Sequence, residues 1–184
     1  MLEASGFRQA RVLWTMIKRG LTDVQLPLFP AGFAVRYFRP GTDDQLWVDA
    51  FNDAFASHWG GWMGMSLAYW QHYQTHPSFN PELSLVAWYG AEIAGFCHCM
   101  AVPETGAAGG SRRGMIRYVG VRPRWRGMGL GKALTQAGLV ALRDAGVECC
   151  SLGVDGDNVT GAHHLYARLG FVVVGRQTLY RCDI

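Results

Sequence analysis

Between an apolar stretch, MIRYVGV at 115–121, and an amphipathic stretch over about 129–145, the chain reads R-G-M-G-L-G-K at residues 126–132. Glycines at 127, 129 and 131 let the backbone come close to a ligand and turn successive N–H groups outward, and a helix opening there adds its positive dipole end. Strand, glycine loop and helix in that order predict a pyrophosphate site. Lys132 is followed by Ala133, so the pattern G-x-x-x-x-G-K-[ST] is absent, and G-x-G-x-x-G is not matched either. Nucleotide hydrolysis and nicotinamide binding lose their support.

The loop is embedded in alternating strand and helix signals. FAVRYF (33–38) alternates as a short strand, and after Pro40-Gly41 the residues Thr42 and Gln45 stand in capping-box spacing. Leu46, Trp47, Ala50, Phe51 and Phe55 then share one helix face, ending near Ala56, and a second helix covers about 66–75 before Pro77. LSLVAWY (83–89) and EIAGFCHCM (92–100) flank Gly90-Ala91 as a hairpin, and the Gly-rich 103–113 reads as a loop. Gly146 closes the helix behind the glycine loop. CCSLGV (149–154) is a further strand, GAHHLYARL (161–169) a short helix, and FVVVGRQTLYR (171–181) a last strand with a glycine kink. The expected fold class is mixed α/β.

Composition narrows the partners. The 184 residues suit one full domain, and 49% hydrophobic against 17% charged residues supply a core and argue against disorder. A net charge of +3 with dispersed basic residues does not make a nucleic-acid footprint. No apolar run approaches the ~20 residues of a membrane span, and Glu3, Arg8 and Arg11 interrupt the N-terminus where a signal peptide needs an apolar stretch, so a cytoplasmic protein is the expectation. Five cysteines without a C-x-x-C pair read as free thiols. Cys97 and Cys99 share a strand face while His98 points the other way, so no metal site is expected.

R-x-x-G-x-G preceded by V-x-P (Val121, Pro123), and followed by Asn158 and LYARLGF (165–171), resembles the GNAT superfamily of acyl-CoA-dependent N-acetyltransferases. The resemblance runs from about 33 to 181 and implies a central, largely antiparallel sheet flanked by helices, splayed between 115–121 and 148–154 to admit the pantetheine of acetyl-CoA. It places the pyrophosphate loop on Arg126, Gly127, Gly129, Leu130, Gly131 and Lys132, with backbone N–H groups making most of the contacts. Val119 and Val121 fall on the strand whose main chain holds the pantetheine and polarises the thioester carbonyl, an oxyanion-hole role. Asn158 corresponds to the residue that steadies the pantetheine, and Tyr166 to the phenol that protonates the leaving thiolate. The implied reaction is direct transfer to a small-molecule primary amine in a ternary complex, without a covalent enzyme intermediate. Two rivals stand beside it: a coenzyme-binding module without turnover or half of a tandem protein, and a protein N-terminal acetyltransferase.

Two departures matter. Asn158 and Tyr166 are eight residues apart where the commonest family form has seven, and the strand 114–121 holds no Glu or Asp, where many members place the general base. Asp155 is the leading candidate base, with Glu104, His98 or an ordered water chain behind it. The segments 50–60, 80–96 and 118–139 further resemble the C-terminal domain of mycothiol synthase-like proteins, which are tandem GNAT repeats. Residues 1–32 are then an N-terminal extension that reads as the last strand and linker of a preceding repeat, with 33–184 as the acetyltransferase domain; an N-terminal strand packed on the sheet or on a partner is the alternative, and a homodimer stays open. Among the aromatics His58, Trp59, Trp62, Tyr69, Trp70 and Tyr73, most are expected in the core and the rest at the acceptor pocket.

Overall fold

The computed structural model describes residues 5–57, 64–103, 112–156 and 161–182. Seven strands form one sheet: β1 (Arg8–Arg19), β2 (Phe33–Tyr37), β3 (Ser84–Tyr89), β4 (Glu92–Pro103), β5 (Arg112–Val121), β6 (Cys149–Asp155) and β7 (Val172–Arg181). Their spatial order is β2-β3-β4-β5-β6-β1-β7, and every pairing is antiparallel except β5 with β6. The helices are α1 (Asp44–Phe55), α2 (Leu67–Gln74), α3 (Leu130–Asp144) and α4 (Ala162–Arg168). The mixed α/β expectation, with its largely antiparallel sheet, holds.

Strand alternation divides the core into two layers. Phe96 and Val86 pack with Trp47, Phe51 and Trp70 of α1 and α2, whereas the neighbouring Cys97 and Ala87 join Leu134, Leu139 and Leu142 of α3. Trp47 and Trp70 stack at 3.7 Å between ring centres, so the aromatic run flagged in the sequence contributes Trp70 to the core. On the other side α3 approaches β4 closely at Gly138: a Cβ there would lie 2.6 Å from the Cys97 sulfur and 2.8 Å from that of Cys99.

The start of α1 differs from the sequence expectation. Its N-cap is Asp43, and no side chain caps it. The Asp43 carboxylate instead accepts from the Arg36 guanidinium at 2.6 and 2.9 Å and from the Arg39 N–H at 2.8 Å, while Gln45 donates to Asp49. A buried carboxylate needs partners of its own, and the ion pair to β2 supplies them in place of a Thr42–Gln45 box. Residues 8–19, read from sequence as part of an N-terminal extension, are threaded between β6 and β7 and pair with both. The sheet therefore draws on both sides of residue 33. A register shift passes over Val174 next to Gly175, where the last strand was expected to kink.

His98 sits wholly inside the aromatic layer, with Nδ1 on the Ser84 hydroxyl and Nε2 3.2 Å from the Tyr73 hydroxyl. Burial, helped by the positive charge of Arg117, pushes its imidazole down from the ordinary 6.5 to about 4. The unfolded chain takes up that proton near pH 6.5, so the contribution of neutral His98 is complete above about 6.5 and is lost as pH falls toward 4. Urea unfolding at pH 7 and 4.5 is expected to show about 2–3 kcal/mol more loss in wild type than in His98→Gln. Gly138→Ala is expected to destabilise by about 1–3 kcal/mol through the clash with the two sulfurs, and Cys97→Ala in the same chain to recover part of it.

Candidate active site

β5 and β6 are neighbours for four residue pairs only, from Arg113 opposite Cys149 to Ile116 opposite Leu152. Beyond that point β5 stays with β4 as far as Val121, and β6 stays with β1 as far as Asp155. The strands separate and a cleft of about 1120 Å³ opens between them. Residues 117–121 form one wall and 152–155 the other; the loop 126–132 stands at one mouth, Phe51 and Phe55 enter from α1, Tyr166 from α4 and Leu169 from its C-cap. Val119 and Val121 lie along the first wall.

The loop is built for main-chain contacts. Gly127 and Gly129 have φ of 77° and 84°, the left-handed region where a side chain is strained. Gly129 is the N-cap of α3, without a side-chain cap, and the first intrahelical acceptance is Ala133 N–H to Gly129 C=O at 3.2 Å. The N–H groups of Leu130, Gly131 and Lys132 therefore have no acceptor within the helix. They are the donors that an anion at the helix start would take.

The basic side chains around the loop are largely engaged. Arg126 turns back from the cleft mouth: its Nε donates to the Val121 carbonyl at 3.1 Å and its Nη2 to the Ala54 carbonyl at 2.7 Å. The side chain ties the loop to the end of β5 and to the last turn of α1. Trp125 is buried beneath it, with the Arg124 guanidinium 4.1 Å and that of Arg122 5.5 Å from the ring centre. Arg122 donates to Asp53 at 2.6 Å, and both arginines reach Glu92. No local sequence signal pointed to this bracing, because all its acceptors except the Val121 carbonyl lie some thirty to seventy residues away.

Tyr166 is buried and packs edge-on against Phe171 at 6.0 Å. Burial, with a smaller effect of Cys97, pushes its phenol well above the ordinary 10, so it keeps its proton throughout the neutral and mildly alkaline range. Asp155 closes β6, is 8% exposed, and has Arg11 Nε 3.9 Å from Oδ2. Arg11 is a cleft residue that the sequence reading did not single out, for it comes from β1. His98 packs among Trp70, Tyr73 and Phe79 and does not line the cleft, whereas Asp155 and Tyr166 do. Asn158, Glu104, His58, Trp59 and Trp62 fall outside the described residues. His163 and His164 stand ring to ring at 4.0 Å, with His163 edge-on to Trp14. Cys150 is buried, and burial pushes its thiol up to about 12, which suits a packing residue and not a nucleophile. Among the described residues no three His, Cys, Asp or Glu side chains gather as metal ligands.

A sequence model of the acetyltransferase (GNAT) family matches residues 45–171. The chain belongs to the GNAT acetyltransferase family. It is similar to the mycothiol acetyltransferase of Catenulispora acidiphila, 37% identical over 177 residues that make up 96% of this chain and 55% of that protein. It is also similar to the mycothiol acetyltransferase of Salinispora arenicola, 41% identical over 170 residues, 90% of this chain and 53% of that protein. The crystal structure of a GCN5-related N-acetyltransferase from Sphaerobacter thermophilus superposes with a TM-score of 0.78 at 31% identity, over 97% of this chain and 53% of that one. The chain spans about half the length of the curated relatives it matches. For a GNAT domain the bracing by Arg126 has a measurable consequence. Arg126→Ala frees the loop from Val121 and Ala54, and calorimetry with coenzyme A is expected to show roughly tenfold weaker binding.

Proposed function

We propose that the chain is an acetyl-CoA-dependent N-acetyltransferase domain that acetylates a small-molecule primary amine by direct transfer in a ternary complex. The observation that carries the reading is the separation of β5 from β6 beyond Ile116 and Leu152, with the uncapped start of α3 at the mouth of the cleft and a buried tyrosine inside it. The pyrophosphate takes the main-chain donors of Gly127, Gly129, Leu130, Gly131 and Lys132. The uncharged pantetheine arm then runs into the cleft beside Val119 and Val121, where main-chain groups released from strand pairing hold it. Asn158 is assigned to the same arm.

The amine attacks the thioester carbon as its neutral form. Negative charge develops on the carbonyl oxygen and is met by a main-chain N–H in the Val119–Val121 stretch. As the C–S bond breaks, Tyr166 gives its proton to the coenzyme A thiolate. The proton lost by the amine goes to Asp155 and, through solvent, an equal proton returns to the Tyr166 phenolate, so each cycle moves one proton from nitrogen to sulfur and leaves the protein unchanged. No cysteine is acylated.

We infer further that residues 1–32 correspond to the last strand and linker of a preceding repeat. The support is that β1 occupies an interior position of the sheet, between β6 and β7.

Tyr166→Phe tests the mechanism. Replacing the proton donor is expected to lower kcat about 100-fold or more while coenzyme A affinity, measured by calorimetry, stays within about threefold. A Tyr166→Phe enzyme with wild-type kcat would remove Tyr166 from the chemistry. In wild type the kcat profile should show no alkaline fall attributable to this phenol below about pH 10, since burial raises its ionisation.

A further inference from the structure

We propose that Arg117 binds a carboxylate on the acceptor, so that the amine this domain acetylates belongs to an amino-carboxylate such as a free amino acid. The inference rests on the acetyltransferase reading and adds a substrate class to it.

Backbone geometry puts Arg117 in the cleft. The β4–β5 pairing passes from His98 opposite Tyr118 to Cys99 opposite Ile116, which leaves Arg117 as the extra residue of a bulge. Ile116 packs in the α3 layer and Tyr118 against Trp47 and Phe51 of the other layer, on ring distances of 6.5 and 5.0 Å. Val119 then returns to the α3 layer, so the bulge resets the alternation at this point. Bulges re-aim side chains in this way beside functional sites. The Arg117 guanidinium comes to rest 5.2 Å from the Tyr118 ring centre, on the cleft wall.

Electrostatics then leave it a vacancy for an anion. Five cationic side chains line the cleft (Arg11, Arg117, Arg126, Lys132 and Arg168), and among the described residues Asp155 is the one carboxylate that does. Asp155 faces Arg11, and Arg126 is tied to two carbonyls. Lys132 stands in the first turn of α3 with the pyrophosphate donors, and Arg168 comes from α4. Among the described residues no carboxylate lies within 4 Å of Arg117.

The coenzyme does not compensate it either. Arg117 lies four residues before Val121, roughly 13 Å along the strand, and the loop begins beyond that. The arm between the loop and the thioester carries no charge. A guanidinium at the thioester end repels an ammonium group and attracts a carboxylate, which it grips with two parallel N–H donors. Its charge also favours the neutral form of a nearby amine, the form that attacks. Phe51, Phe55 and Tyr118 leave an apolar surround for the rest of the acceptor.

The test uses leucine, phenylalanine and methionine, each as the free acid and as its carboxamide, with thiol release from acetyl-CoA measured for wild type, Arg117→Ala and Arg117→Lys. Wild type is expected to favour the acids by at least tenfold in kcat/KM. The amides are less basic and hold more free amine at neutral pH, so protonation works against this preference. Arg117→Ala should collapse the acid-to-amide ratio by about 10- to 100-fold, chiefly through KM, and Arg117→Lys should recover part of it. A ratio near one in wild type, or a ratio that survives in Arg117→Ala, overturns the carboxylate site. Calorimetry of the same six compounds into the coenzyme A complex separates the two claims. Acid-dependent binding that is lost in Arg117→Ala, without thiol release from any acceptor, supports the site and overturns acetyl transfer. Thiol release with no acid-dependent binding does the reverse, and absence of acid-dependent binding for all three pairs overturns the site whatever the turnover.

Discussion

Everything about the cleft follows from two strands that part after four residue pairs. A strand edge carries N–H and C=O groups that must find partners, and a buried edge without them costs about 1–3 kcal/mol per group. β6 satisfies one edge against β1 as far as Asp155, while its other edge pairs with β5 only as far as Leu152. β5 satisfies its other edge against β4. The edge left over, Arg117 to Val121, faces a cleft whose mouth is the uncapped start of α3. An extended ligand with an anionic end and amide groups along its arm supplies what both features lack.

That arrangement works only if the loop is held still. Trp125 under Arg122 and Arg124, together with the Arg126 bonds to Val121 and Ala54, fixes the loop to β5 and α1 at once. Behind it, Gly138 lets α3 lie against the Cys97 and Cys99 sulfurs, which sets the helix axis and the direction in which its first N–H groups point. The basic residues of RPRWR thus act chiefly as braces. Position, rather than added charge, is what these side chains contribute.

The two ends of the cleft differ in charge. At the mouth, the uncapped start of α3 presents free N–H donors and the positive end of its dipole. At the inner end, Asp155 is matched by Arg11 and Arg117 has no carboxylate partner among the described residues. The missing acid on β5, noticed in the sequence as a departure, and the unmatched arginine on the same strand point the same way: toward an acceptor that brings its own negative charge.

Local signals were legible in the sequence. R-G-M-G-L-G-K, the strand before it and the helix after it could be read because each depends on residues close in the chain, on glycine's access to positive φ and on the periodicity of apolar side chains; Tyr166 in LYARLGF came from the family resemblance. The hairpin at Gly90-Ala91 and the placing of Cys97 and Cys99 on one strand face with His98 on the other were legible for the same reason. The Thr42–Gln45 box was not formed, since Asp43 is claimed by Arg36 from β2. Only the tertiary structure decided that β1 enters the sheet between β6 and β7, that Arg11 meets Asp155, that Arg126 faces inward to carbonyls, and that a bulge turns Arg117 into the cleft. Those outcomes depend on contacts between residues far apart in sequence, and strand pairing carries no local code for which distant edge a strand will meet.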